Sequence, residues 1–489
     1  MLEGLDPYTT YIPESERESY EAMTTGRYGG IGALIQKRDE YVQITEVYKT
    51  FPAHKAGLLI GDIITEINGI TVKRKTSEDV SNKLKGSPGT HIEITIMRPD
   101  KEEKIKKEIT RQEVRLNSVS YYGVLNNQSG YISLDNFTEG AHKDFKEAFE
   151  KLKTDHDISS LVVDLRGNPG GLMKEAIMIT NFFVKRGSTI VSTKGKVEQW
   201  NNTYKAEKKP VDTEIPVVII VDDRSASASE IIAGAFQDLD RGIVIGQRTF
   251  GKGLVQTTRP LSYNAQLKIT TARYYTPSGR CIQAYDFTRS GSTGRLENIP
   301  DSLISKFTTL NGREVYDGGG IIPDIKVEKE TLSRIAATLY LNNLIFDFAT
   351  QFTSENEPPV SPSDFSVSQE IYTQFTDFLE NKEFEYTSES QEKLEKLIEA
   401  TRKENYYKIS QNELKSLQEK LAHDKVKDLE IFREQIKKLI KNEITGRYYF
   451  RSGKRESSLQ NDANIELALE LLEDNYYYNS ILCPDKPKD

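Results

Sequence analysis

Three short, wholly apolar runs constrain this chain more than anything else in it: LVV at 161–163, IPVVIIV at 215–221 and IVIG at 243–246. Each has the length of a strand rather than a helix, and none alternates with polar residues, so each must be covered on both faces. Between them lie stretches with helical spacing, LMKEAIMITNFFV after the first run and Ile231, Ile232, Ala235 and Phe236 after the second. Strand, helix, strand, helix, strand is the pattern of a parallel sheet with helices packed on it, an α/β core.

The turns that leave these strands carry the chemistry. After the second run comes DDRSASASE at 222–230, which places serine hydroxyls beside the unpaired N–H groups that open a helix. An oxyanion can be held at such a place. After the third run, Thr249-Phe250-Gly251-Lys252-Gly253 sets a lysine between two glycines, with Gln256 four residues on and so on the same face of an extended chain. A serine needs a base to take its proton. None of the five histidines, His54, His91, His142, His156 and His423, lies in this stretch. A lysine kept neutral by burial can serve instead, and Lys252, flanked by Phe250 and Leu254, is the candidate.

SASASEIIAGAFQD at 225–238 followed by TFGKGLVQ at 249–256 resembles the active-site signature of the carboxyl-terminal processing peptidases, the tail-specific serine proteases of the S41 family. The resemblance implies a Ser-Lys dyad with Ser227 as nucleophile and Lys252 as base, and Gln256 as the residue that positions the lysine. DLRGNPGG at 164–171 resembles the family segment that supplies one oxyanion-hole N–H, here Gly170 or Gly171; the N–H after the nucleophile, that of Ala228, would be the other. Asp164 and Arg166 in this segment read as structural ion-pair partners. The family core is similar to the crotonase/ClpP-like α/β fold, and its chemistry needs no metal and no cofactor.

Ahead of the core, residues 27–115 carry short strands, glycines and two helical stretches. The Gly29-Gly30-Ile31-Gly32 loop, GDII at 61–64 and Asn68-Gly69 resemble a PDZ domain in its circularly permuted bacterial form. That likeness implies a peptide carboxylate held by the backbone of Gly30, Ile31, Gly32 and Ala33, with the peptide added as a strand to the sheet edge. Whether such a domain delivers substrate or gates the site stays open at this level. Arg98 reads as a solvated strand end. The expected organisation is an N-terminal segment at 1–26 packed on the core, the inserted PDZ domain at 27–115, the peptidase core at 116–352, and a linker with a C-terminal α-helical extension at 353–489. Residues 284–312 read as an insertion or mobile loop. In the tail, Leu394, Leu397 and Ile398, then Leu414, Leu417 and Leu421 behind a capping box from Ser410 to Glu413, then Val426, Leu429, Phe432, Ile436, Leu439 and Ile440 follow helical spacing.

With 489 residues the chain needs several cores, and its net charge of -8 offers no basic field for nucleic acid. The two cysteines, Cys281 and Cys483, build no metal site or disulfide framework. No apolar run approaches the ~20 residues that span a bilayer. The resemblance implies that MLEGLDPYTTYIPESE follows an export signal or anchor, and a protein of the periplasm or cell envelope. The partners it implies are proteins or peptides with free apolar C-termini, and a second copy of the chain through the helical regions. Two rival readings are a catalytically silent or gated PDZ-based scaffold, against which the intact Ser227, Lys252 and Gln256 argue, and an acyl-transfer enzyme acting on coenzyme A thioesters. The PDZ domain and the lysine base argue against the latter.

Overall fold

The computed structural model describes residues 5–99, 104–286, 297–298, 303–387, 389–421 and 425–484. Much of the loop read at 284–312, the first four residues and His423 lie outside the described residues. The chain divides into two compact units, one of Met1–Gly29, Glu113–Lys329 and Asn461–Asp489, the other of Gly30–Gln112 and Glu330–Gln460.

The three apolar runs form the middle of the first unit. Its main sheet runs Val119–Val124, Ser129–Leu134, Ser160–Asp164, Val217–Val221, Ile243–Gly246 and Ile325–Lys326. The first pair is antiparallel and all later neighbours are parallel. Every residue of Ser160–Asp164, Val217–Val221 and Ile243–Gly246 is buried, which is why these runs show no alternation. Helices Ala141–His156, Met173–Asn181 and Ala228–Asp238 join them in one core that includes Phe145, Phe149, Phe183 and Phe236. The last two helices of the chain, Ala463–Glu473 and Asn475–Leu482, also pack on this sheet. Their anchor is Tyr478, whose hydroxyl accepts from the Val217 N–H and donates to the Val217 carbonyl, each at 2.9 Å.

A second sheet in this unit carries Thr10–Ile12, Gln266–Tyr275, Thr189–Gly195 and Asn202–Lys205, with Leu254–Pro260 also paired to Gln266–Tyr275. The N-terminal helix Glu14–Thr25 is tied to the same hairpin through the Tyr20 and Thr258 hydroxyls, 2.6 Å apart. Asp164 and Arg166 form an ion pair at 2.7 Å, extended to Asp462.

The second unit opens with an antiparallel sheet in the order Ala33–Arg38, Tyr41–Val47, Ile63–Ile67, His91–Met97, Lys104–Thr110. Ala33–Arg38 is its edge, and helix Ser77–Leu84 packs beside that edge. Arg98 is not the solvated end the sequence suggests: it forks onto Asp62 at 2.8 Å and 3.0 Å, because Asp62 is buried and needs a partner. The rest of the unit is helical, with a core built on Phe348, Phe375, Ile436, Ile440 and Ile444.

Several details of this helical region differ from the sequence reading, and Leu397 and Leu417, which follow the apolar spacing, are exposed. Ser410 caps nothing: the helix already starts at Tyr407, so Ser410 lies inside it and its hydroxyl donates to the Tyr406 carbonyl. Val426 is exposed although it fits the apolar spacing; it stands at the start of the short helix Lys425–Ile431, whose buried residue is Leu429.

Candidate active site

Three serines follow the second apolar strand, and the structure separates them by what their hydroxyls do. Ser225 donates to the Leu165 carbonyl at 2.8 Å, and Ser229 donates to the Asn168 carbonyl at 3.0 Å; both are fully buried. These bonds lash the serine turn to the 164–171 turn beside it. Ser227 between them is half-buried, and its hydroxyl donates to no group among the described residues. It sits at the N-cap of helix Ala228–Asp238 with φ 56° and ψ -110°. A positive φ is strained for a residue with a β-carbon, at a cost on the order of 1–3 kcal/mol, and persists only where the surroundings over-determine it.

Those surroundings are supplied by Glu230, which sequence reasoning passed over. Its carboxylate accepts from the N–H of Ser227 at 2.7 Å, the N–H of Lys252 at 2.9 Å, the N–H of Gly251 at 2.7 Å and the hydroxyl of Thr249 at 2.6 Å. The first two bonds end on the same oxygen, so the backbone nitrogens of Ser227 and Lys252 lie within two hydrogen-bond lengths of one another. Tyr274 does the same from the other side. Its buried hydroxyl lies 2.6 Å from the Lys252 carbonyl and 3.1 Å from the Ser227 carbonyl, which share its one proton. Serine and lysine are thus braced at both their N–H and their C=O groups.

Complete burial pushes the Glu230 carboxyl up to about 7, against four hydrogen bonds that favour the charged form. Burial likewise holds the Tyr274 phenol far above its ordinary range, so it stays a donor. The Lys252 amine is held below the usual lysine value by burial first and by the charge of Lys268 second, with Glu230 opposing. Among the described residues the amine makes no hydrogen bond and no ion pair; it lies over the Tyr8 ring, 4.4 Å from the centroid. None of the described histidines bonds to Ser227; His142 is occupied with Glu175.

Gly170 lies against the nucleophile. It has φ +100°, and a β-carbon there would come 2.6 Å from the Ala226 carbonyl oxygen and 2.8 Å from Ser227 Cβ. Its N–H donates to Asn168 Oδ1 at 2.9 Å and its carbonyl accepts from Phe137. Gly171 is bridged to Phe137. Ala228 is the first residue of its helix, where an N–H has no intrahelical acceptor. Gln256 lies in Leu254–Pro260, and its amide donates across the hairpin to Thr270 Oγ1 at 3.5 Å rather than to Lys252.

In the other unit, Gly30, Ile31, Gly32 and Ala33 form the entry to the edge strand. The Ile31 carbonyl accepts from Ala53 at 2.7 Å and the Gly32 carbonyl from Tyr48 at 3.0 Å.

Of the missed residues, Tyr274 gave no signal within TARYYTPSG. Glu230 stands three places after Ser227, which alone reads as a helix cap. Nothing local announces that its other oxygen reaches the lysine loop.

Parts of the chain are similar to known proteins. Residues 128–289 match the family model described as Peptidase family S41, residues 43–98 match PDZ domain, and residues 335–472 match the C-terminal helical domain of a probable PDZ-protease. A carboxy-terminal-processing protease of Bartonella bacilliformis is 36% identical over 292 residues, 59% of this chain and 66% of that protein. A probable CtpA-like serine protease of Staphylococcus aureus strain COL is 35% identical over 279 residues, 57% of this chain and 55% of its own length. The chain thus spans less than two thirds of either relative. Among solved structures, a photosystem II D1 C-terminal processing protease is 27% identical, with 66% of this chain and 78% of that one covered and a TM-score of 0.37. Among the described residues no helix is long and apolar enough to cross a membrane.

Proposed function

We propose, from an S41 peptidase core that carries a PDZ domain and a C-terminal helical domain, that this chain is a serine endopeptidase that cleaves proteins near their C-termini by a Ser-Lys dyad. The observation that carries the reading is the double brace, Glu230 on the two N–H groups and Tyr274 on the two carbonyls of Ser227 and Lys252. A surface helix cap and an unrelated glycine turn have no use for it.

In this mechanism neutral Lys252 takes the Ser227 proton as the serine oxygen attacks a peptide carbonyl. The oxyanion is received by the Ala228 N–H and by Gly171, since the Gly170 N–H is committed to Asn168. Each such donor is worth about 3 kcal/mol in comparable sites. Lys252 then protonates the leaving amine, and water releases the acyl group from Ser227. Gln256 serves as the polar neighbour of the lysine once substrate is bound. No metal or cofactor enters the cycle.

The PDZ domain recognises the substrate. The Ile31 and Gly32 carbonyls are occupied by Ala53 and Tyr48, and the loop's backbone amides at Gly30 to Ala33 are the groups assigned to a terminal carboxylate. The tail then adds as a strand along Ala33–Arg38, the edge beside helix Ser77–Leu84. The substrates are proteins or peptides with free apolar C-termini, met in the periplasm or cell envelope, and the helical regions offer contacts for a second copy.

The test is mass spectrometry of an unfolded reporter with an apolar C-terminus, incubated with the parent, Ser227→Ala and Lys252→Ala. Cleavage by the parent alone is the expected result. Cleavage that survives in both variants places the active site elsewhere, and tail binding without cleavage by the parent favours the scaffold reading.

A further inference from the structure

One contact at the site is not needed by the dyad chemistry. The Lys252 amine rests on the face of Tyr8, which belongs to a segment remote in sequence and is carried in by the strand Thr10–Ile12. That strand pairs with Gln266–Tyr275 in the register Thr10 to Lys268 and Ile12 to Gln266. The turn before it is closed by Asp6, whose Oδ1 accepts from the N–H of Tyr8 at 2.8 Å and of Thr9 at 3.0 Å, while its Oδ2 accepts from the Thr9 hydroxyl at 2.7 Å. Asp6 also accepts from Thr270 Oγ1 at 3.1 Å, and this same oxygen is the acceptor for Gln256. One turn therefore reaches both residues that the dyad reading assigns to the base, Lys252 through a ring face and Gln256 through Thr270.

We propose that Tyr8 is a positioning residue for Lys252: its ring holds the ammonium in a resting position, and the turn Asp6–Thr9 must yield the amine for it to reach Ser227. This rests on the dyad reading and extends it. The ring face of tyrosine attracts a cation and has little hold on a neutral amine. The lysine is therefore retained while charged and released as it loses its proton, so Tyr8 sets the acidity at which the base becomes available. Other groups bear on the amine without holding it: Lys268 on the paired strand disfavours its charge, and Glu230 on the nucleophile helix favours it. Burial first, and then Tyr285, Glu230 and Asp6, hold the Tyr8 phenol above its ordinary range and keep it protonated.

The experiment reads the lysine directly and does not require turnover. In full-length Ser227→Ala protein, the pH dependence of reductive methylation at Lys252 by formaldehyde and cyanoborohydride is followed by peptide mass spectrometry, with Tyr8 as Tyr, Phe, Leu or Trp. Loss of the ring in Tyr8→Leu should move the midpoint down by about half a pH unit to one and a half. Tyr8→Phe should leave it in place and Tyr8→Trp should raise it. In protein with Ser227 intact, the acid limb of kcat/KM on the reporter should move in the same order. An unchanged midpoint in Tyr8→Leu, or a shift in Tyr8→Phe as large as that in Tyr8→Leu, overturns the proposal. If Tyr8→Leu does not fold, the sign of the Tyr8→Trp shift decides: upward supports the proposal, and none or downward overturns it. Failure of the dyad reading looks different, since it shows as cleavage by Lys252→Ala whatever stands at position 8.

Discussion

On the proposed reading the nucleophile turn and the PDZ glycine loop both offer backbone N–H groups to an anion, and they are held by opposite means. The serine turn keeps a strained conformation through buried polar bonds, Glu230 and Tyr274 on its backbone and Asn168 behind Gly170. The glycine loop spends no buried charge. Gly32 takes φ +78° at no steric cost, with the Phe51 side chain packed where a β-carbon would go. The difference follows from the tasks. A forming oxyanion must find its donors already fixed, whereas a peptide that adds as a strand brings most of its own hydrogen bonds.

The contrast is most open to test at Glu230. Replacement by alanine leaves three buried N–H groups and a hydroxyl without an acceptor, at ~1–3 kcal/mol for each group left unsatisfied. The expected outcome is at least ~10³-fold lower kcat/KM together with a lowered urea midpoint. Glu230 also ties the serine turn to pH. Its folded pKa, about 7, is above the ordinary carboxyl value of 4.5, so its contribution to stability is fully present below 4.5 and is lost as pH rises through 7. That is on the order of 3 kcal/mol across the window. Urea unfolding at pH 5 and pH 8 should show this decline in the parent and a smaller one in Glu230→Gln. Equal slopes would remove the buried carboxylate from the account.

A smaller effect is expected at the loop, and one without pH dependence. In Gly32→Ala the new β-carbon would lie 2.5 Å from Phe51 Cβ in a backbone region that alanine avoids, for a cost of about 1–2 kcal/mol. Calorimetry with an apolar C-terminal peptide should show at least about tenfold weaker binding, while Ser227 acylation by a small activated ester continues. Weaker binding that also tracks the titration of a buried acid would blur the contrast between the two sites. The smallest change is Tyr274→Phe, which removes the donor shared by the Lys252 and Ser227 carbonyls and keeps the ring. About 1 kcal/mol of stability and a severalfold fall in kcat are expected, read by thermal melts and initial rates.

Much of the serine turn is legible in the sequence. The buried runs point to the parallel sheet, because a strand covered on both faces has no polar positions to show. The serine, the lysine and the glycine turn near them stand in plain view, and the PDZ segment announces itself through its glycines and short strands. Legibility fails where a local pattern has two structural meanings. Ser410 followed by Glu413 reads as a cap and lies inside a helix; Glu230 after Ser227 reads as a cap and is the brace of the site. The last helices show the same limit. Tyr478 fits any amphipathic helix, yet it is the anchor on Val217.

Local sequence, then, is enough for the α/β core, the serine turn, the nearby lysine and the glycine loop, since each depends on residues within a few positions of one another and on the periodicity of their own element. It takes the packed fold to decide which serine hydroxyl is left uncommitted, which glycine N–H is already bound, and that Tyr8 and Tyr274 meet Lys252 from positions far away along the chain. The physical reason is that a buried polar group takes whatever partner the packing brings within reach. Strand pairing, such as that between Thr10–Ile12 and Gln266–Tyr275, sets which partner that is.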